Sequence, residues 1–231
     1  MSAQKILVWD APVRVFHLLL MLSFAGAWFT AELDGWRLVH ISLGYTVAAL
    51  VLLRLVWGVV GTRYARFSEF VRGPSSVASD LGSLFSKGSS PRVGHGPAGA
   101  VAIVLLLALG LLVPLSGWAE LYKVLTPWPK EMHEILGTGM GLLVLVHIAG
   151  VLLTSWLHRQ NLVAAMVTGM KPGEPGQAIH RSWWALAFAL LLAVLGFWTL
   201  QWRTADQGGV IGPQQVLAAQ QGDSELAKDE D

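Results

Sequence analysis

The sequence predicts an all-α integral membrane protein, a four-helix core with a fifth transmembrane helix. Three observations predict it. The 231 residues are 54% hydrophobic and only 13% charged, five separate apolar stretches are long enough to cross a bilayer, and four histidines stand within or at the edge of those stretches. Soluble domains carry about 25% charged residues, so the deficit points to lipid as the solvent. Mean hydropathy is +0.54. The formal net charge of +1 gives no basic footprint for nucleic acid. There are no cysteines, which excludes disulfides, thiolate-bound zinc, iron–sulfur clusters and covalent haem attachment through C-x-x-C-H. Histidine is left as the strong ligand for a borderline metal.

About 20 apolar residues span the hydrocarbon core, and the stretches that qualify are Val15–Ala31, Val39–Val60, Ala98–Gly117, Ile135–Trp156 and Trp183–Leu200. The first resembles a signal peptide in having Lys5 and Arg14 before it and Ala25-Gly26-Ala27 within it. Its apolar run continues through Trp28 and Phe29, longer than a signal's apolar region, so it is read as a retained span. Lysine and arginine sort the loops. Lys5, Arg14, the group Arg63, Arg66, Arg72, Lys87 and Arg92, and then Arg159, Lys171 and Arg181 fall on one side. That side is predicted to be cytoplasmic, with the N-terminus inside and the C-terminal tail periplasmic. Tryptophans divide into two belts: Trp28, Trp36, Trp118, Trp128, Trp198 and Trp202 outside, Trp57, Trp156, Trp183 and Trp184 inside.

In the long inner loop, Ser75 or Ser76 can cap a short helix carrying Val77, Leu81, Leu84 and Phe85, which would lie on the inner membrane surface. Pro114 is placed to kink the third span. The tail beyond Trp202 ends in acidic residues and is expected to be disordered. The domain reading is a core over residues 1–172, a linker with the fifth helix over 173–203, and the tail over 204–231.

Of seven histidines, His158 and His180 fall in an inner loop and His95 precedes the third span; all three are read as solvated or interfacial. The other four sort by depth. His133 and His147 lie 14 residues apart on one span, almost four turns, so they share a face about 21 Å apart along the axis. His17 is early in span one and His40 close to the outer start of span two. The matching pairs are His17 with His147 on the inner side and His40 with His133 on the outer side. Ionisable groups inside a membrane are costly and usually functional. Two pairs of imidazoles on facing helices suit two flat macrocycles with both axial positions filled, that is, two stacked haems. Zinc wants three or four protein ligands together, which these pairs do not offer. Gly26, Gly44, Gly137, Gly139 and Gly141 suit either a flat ligand or close helix packing. Arg54, at the inner end of span two, either reaches the headgroups or forks onto a haem propionate.

Val8-Trp9-Asp10 with Val13, Arg14 and His17 resembles the start of the bacterial cytochrome b561 family, which includes the b-type cytochrome subunits of nickel–iron hydrogenases. Arg54, Trp57, Gly58, Gly61, Thr62, Arg66 and Phe67 are similar to its second span and following loop, His95-Gly96-Pro97-Ala98-Gly99 to its third-span entry, and His133 and His147 to its ligand spacing. The likeness covers roughly residues 5–170. It implies two non-covalent haems b ligated by His17, His40, His133 and His147, exchanging electrons with quinone. Leu18 stands where many members have tryptophan, and the fifth span and acidic tail lie outside the core pattern.

The function read from this is electron transfer across the bacterial inner membrane between the quinone pool and a periplasmic redox partner such as a c-type cytochrome. No catalytic residue is assigned. Three alternatives remain: the electron conduit of a multisubunit, hydrogenase-like oxidoreductase; a stand-alone quinone-linked superoxide oxidoreductase; and a haem-free transporter or structural membrane protein. The sequence leaves open whether the chain forms a homodimer through span five.

Overall fold

The computed structural model describes residues 4–33, 35–70, 93–124 and 128–205. The short inner-loop helix and the acidic tail expected above lie outside the described residues. In chain order the elements are β1 (Gln4–Leu7), α1 (Ala11–Thr30), α2 (Arg37–Val60), a 3-10 turn (Arg63–Ala65), α3 (Phe67–Phe70), α4 (Pro97–Leu121), α5 (Pro129–Leu157), α6 (Leu162–Thr168), β2 (Met170–Gly173), a second 3-10 turn (Pro175–Gln177) and α7 (Trp184–Arg203). Among the described residues, five helices are long and apolar enough to cross a membrane: α1, α2, α4, α5 and α7.

A capping carboxylate or a proline marks where α1, α4 and α5 start, each earlier than its apolar run suggests. Asp10 caps α1, its Oδ1 accepting from Val13 N at 2.9 Å, with a proline in the first turn. Pro97 and Pro129 open α4 and α5 at the position where a missing N–H costs nothing. The first turn of α5 is polar, with Lys130 and Glu134 one turn apart, which hides it from a hydropathy criterion. Pro114 sits inside α4, which runs on through it to Leu121.

The bundle is built around α2, which packs between α1 and α4; α5 lies along α4, and α7 lies against α1. Phe16 and Leu19 of α1, Val47, Leu50 and Val51 of α2, Leu107 of α4 and Val194 of α7 make one buried core. The fifth helix is therefore part of that core. Trp198 of α7 also donates its indole N–H to Thr46 Oγ1 on α2 at 2.9 Å. An interhelical bond of this kind is worth about 0.6 kcal/mol in membranes. Trp198→Phe should lower the unfolding free energy by about that much in a detergent denaturation series. No change would remove the bond from the account of α7 docking.

One end of the bundle carries a feature that a helical reading omits. Strand β1 pairs antiparallel with β2, Gln4 opposite Gly173 and Leu7 opposite Met170. Val8 N and Trp9 N both donate to Gly169 O, Ile179 N donates to Leu7 O, and Ala11 N donates to Ser182 O. Gly169 ends α6 at φ +80°, and a Cβ there would meet Trp9 O at 2.7 Å, so the position admits glycine on two counts. A second small core of Ile6, Val8, Trp9, Tyr64 and Ile179 sits beneath this clasp. We call this the sheet end and its opposite the far end.

Candidate haem-binding site

The face of α5 that carries the histidines is the one turned inward. His133, Gly137, Met140, Val144 and His147 are all partly or fully buried, whereas Glu134, Ile135, Leu142, Leu145 and Val146 are exposed. Met140, midway between the two histidines, is buried at 3% exposure. Helix α5 packs extensively on α4 but much less on α1 and α2. Side chains cross the interval instead, and a Cβ on Gly141 would lie 2.6 Å from the Trp28 ring of α1.

At the far end, His40 of α2 and His133 of α5 stand side by side. Their ring centres are 6.0 Å apart and the rings are at 82° to each other. Each ring is fixed through Nδ1: His40 donates to Ala27 O at 2.8 Å and His133 to Val113 O at 2.9 Å. Ser116 Oγ lies 3.2 Å from the same nitrogen of His133. That is the orienting contact typical of a metal-bound imidazole, whose other nitrogen then faces the metal. With histidine–metal bonds of about 2 Å, two opposed imidazoles around one ion have centres about 6 Å apart. The donors present fit a bis-imidazole haem.

At the sheet end, His17 of α1 and His147 of α5 are near enough for their charges to interact. The structure thus sets His40 and His133 ring to ring, and His17 and His147 within electrostatic range of each other. Among the described residues there is no cluster of three or more histidines and carboxylates able to hold a metal ion. The glycines divide between the two roles open to them. Gly26 is a packing residue, a Cβ there falling 2.7 Å from Leu43, while Gly44 and Gly137, each one turn from a far-end histidine, have open space beside them.

His95 corrects the sequence reading, which took it as solvated or interfacial. Its ring lies between Trp9, 4.4 Å away, and Phe70, 4.8 Å away, with Nδ1 shut off from water and without a partner. Its surroundings include His17, His147, Arg54 and Lys171. Burial, then the charges of Arg54 and Lys171, push His95 down to about 3 from its ordinary 6.5. Between those pH values the unfolded chain takes up a proton that the folded one refuses. The stability contributed is complete above pH 6.5 and is lost as pH falls towards about 3. His95→Gln should flatten that acid slope of the melting temperature; an unaltered slope would contradict it. His180 is exposed and His158 half-buried.

Arg54 is buried at 5% exposure. Its Nη2 donates to Ala65 O at 2.9 Å, its guanidinium lies over the Phe67 ring at 5.1 Å, and Nη1 is shielded without a partner. It does not reach outward to the headgroups. Asp10 ties the same end together: besides capping α1, its Oδ2 accepts from Trp57 Nε1 at 3.0 Å and Thr62 Oγ1 at 2.5 Å. Trp57, one of the inner-belt tryptophans by sequence, is thus a donor inside the protein.

Residues 8–169 match the family model described as prokaryotic cytochrome b561. The chain is 25% identical over 212 residues to a probable Ni/Fe-hydrogenase B-type cytochrome subunit of Rhizobium leguminosarum bv. viciae, covering 72% of this chain and 88% of that protein. It is 22% identical over 222 residues to a probable Ni/Fe-hydrogenase 1 B-type cytochrome subunit of Escherichia coli (strain K12), covering 75% and 94%. No solved structure matches. The five apolar spans, the paired histidines and a family match over most of its length agree: the chain belongs to the prokaryotic cytochrome b561 family, as a multi-pass membrane b-type cytochrome.

Proposed function

We propose that this protein is a dihaem cytochrome carrying electrons across the bacterial inner membrane between the quinone pool and a redox partner at the far end. The observation that carries the proposal is the His40–His133 pair, 6.0 Å between ring centres with each Nδ1 engaged by a backbone carbonyl. In this reading His40 and His133 are the axial ligands of one haem b, and His17 and His147 those of the other. Bound haem supplies a one-electron iron couple; the chain supplies position, ligation and burial.

Helix α5 fixes the separation, since 14 residues hold the two ligand nitrogens about 21 Å apart along its axis. Ala27 O and Val113 O hold the far-end rings in one tautomer and orientation. Trp28, against Gly141 between the two histidines of α5, fills part of the interval between the two levels, with the Phe24 ring 6.0 Å from it. Arg54, whose Nη1 is unpartnered, would hold a propionate of the sheet-end haem. Removing that cation disfavours the reduced, more negative state, so Arg54→Gln should lower the reduction potential of one centre and leave the other alone. Unchanged potentials would return Arg54 to a purely structural role. In this reading the sheet end and the N-terminus are cytoplasmic and the tail periplasmic, which the distribution of loop lysines and arginines supports.

Haem quantitation with a reduced-minus-oxidised spectrum of the purified chain tests the core of the proposal. Two haems b per chain, both reducible by a quinol, are expected; one haem or none would overturn it. The names of the relatives favour a second reading of the same electron path, as the membrane conduit of a multisubunit oxidoreductase. Purification with a large periplasmic subunit would select that reading over a free partner such as a c-type cytochrome.

A further inference from the structure

The chain that leaves α2 turns back onto Arg54 and fixes where its guanidinium points. Gly61 ends the helix, Thr62 opens the turn Arg63–Ala65, and Ala65 N and Arg66 N both donate to Thr62 O. Ala65 O then accepts from Arg54 Nη2 at 2.9 Å, and the Phe67 ring lies 5.1 Å from the guanidinium carbon. That ring seats on α2 at Gly58, one turn beyond Arg54, where a Cβ would run into it. Arg54 is thus held by one carbonyl and one aromatic face, and its Nη1 is left shielded from water with no partner. The turn is anchored in its own right. A threonine in the capping position ordinarily accepts from the turn's own N–H groups, and Thr62 makes no such bond. Its hydroxyl instead donates to Asp10 Oδ2 at 2.5 Å. That carboxylate is fully buried and also bonded to Val13 N and Trp57 Nε1.

We infer that the Asp10–Thr62 hydrogen bond is the latch that aims Arg54, which makes Asp10 and Thr62 positioning residues for the sheet-end haem. This rests on the reading of Arg54 as a propionate partner given above, and adds the part of the chain that sets its direction. A guanidinium meets a carboxylate best in one plane, as a rigid fork. A side chain as long as arginine keeps one such geometry only where its surroundings lock the rotamer. The lock here is Ala65 O and the Phe67 ring, both on the segment that Thr62 anchors. Thr62 is neutral, so opening the latch leaves every charge at the sheet end in place. What changes is the fraction of time that Arg54 is turned towards its ligand.

The test is a redox titration with haem quantitation on full-length Thr62→Val, Thr62→Ser and Trp57→Phe, with Arg54→Gln as the reference. Thr62→Val should keep two haems and shift one centre's reduction equilibrium about threefold towards the oxidised form, about 30 mV for one electron. The centre affected should be the one that Arg54→Gln moves further. Thr62→Ser keeps the hydroxyl and should restore the wild-type value. Trp57→Phe removes the other bond to Asp10 Oδ2 without loosening the turn, and should move neither centre. In an Arg54→Gln background Thr62→Val should add nothing, because residues that act through one another are not additive. A full additional shift there would show that Thr62 acts without Arg54, and would overturn the latch. Unaltered potentials in Thr62→Val beside a shifted Arg54→Gln would overturn it too, as would a Trp57→Phe shift equal to that of Thr62→Val. If Thr62→Val does not hold both haems, Phe67→Leu decides. It keeps an apolar side chain against Gly58, takes away the ring beneath the guanidinium, and should lower the same potential; an unmoved potential overturns the lock. Unchanged potentials in Arg54→Gln itself would bring down the propionate reading, and the latch with it.

Discussion

His147→Ala is expected to yield a folded protein holding one haem instead of two. The far-end pair does not depend on His147: His40 is held by Ala27 O, and His133 by Val113 O and Ser116. Helix α5 carries one ligand of each level, and alanine is the residue best suited to a helix interior. The haem lost should be the one at the sheet end, because His17 alone leaves an axial position empty. Haem quantitation per chain should fall by half, with the surviving spectral component matching the one that His133→Ala removes. A His147→Ala protein that keeps both haems would refute the pairing. Identical spectra from the two variants would show that the levels are not independent.

Asp10→Ala should be the most destabilising single change outside the histidines. Its carboxylate is fully buried and accepts from three groups, one in its own helix and two in the stretch 57–62. Losing the cap of α1 costs about 1 kcal/mol. Stranding the Trp57 N–H and the Thr62 O–H costs about 1–3 kcal/mol for each group that stays dry. With partial relaxation the total should be about 2–4 kcal/mol. Asp10→Asn should lose less, since one oxygen remains to cap the helix. The measurement is a thermal or denaturant transition in detergent with haem absorbance as the probe. An Asp10→Ala protein unfolding at the wild-type midpoint would show that the network contributes nothing net.

Much of this architecture was legible because lipid imposes simple rules. Twenty apolar residues mean a crossing, and the period of a helix told which histidines share a face. Val8-Trp9-Asp10 was legible as a family resemblance, but its physical reason was not: Asp10 answers a tryptophan and a threonine far along the chain. His95 was misplaced for a similar cause. Between two glycines and outside any apolar run, it looks solvated, and the rings that enclose it, Trp9 and Phe70, come from distant segments. Lys171 carries no signal at all, since Met170-Lys171-Pro172-Gly173 neither alternates in polarity nor avoids proline. Its strand exists because residues 4–7 supply the partner edge. The beginning of α5 was placed six residues too late, at Ile135 instead of Pro129, because apolarity marks where a helix enters lipid and not where its hydrogen bonds begin.

The pairing of the first strand with the eleventh-hour segment ahead of α7 has a biosynthetic consequence. Residues 4–7 are made well before the edge they need, 170–173, which emerges only after α1, α2, α4 and α5. During that interval the amino-terminal strand is held in reserve, and closing so long a loop comes late in assembly.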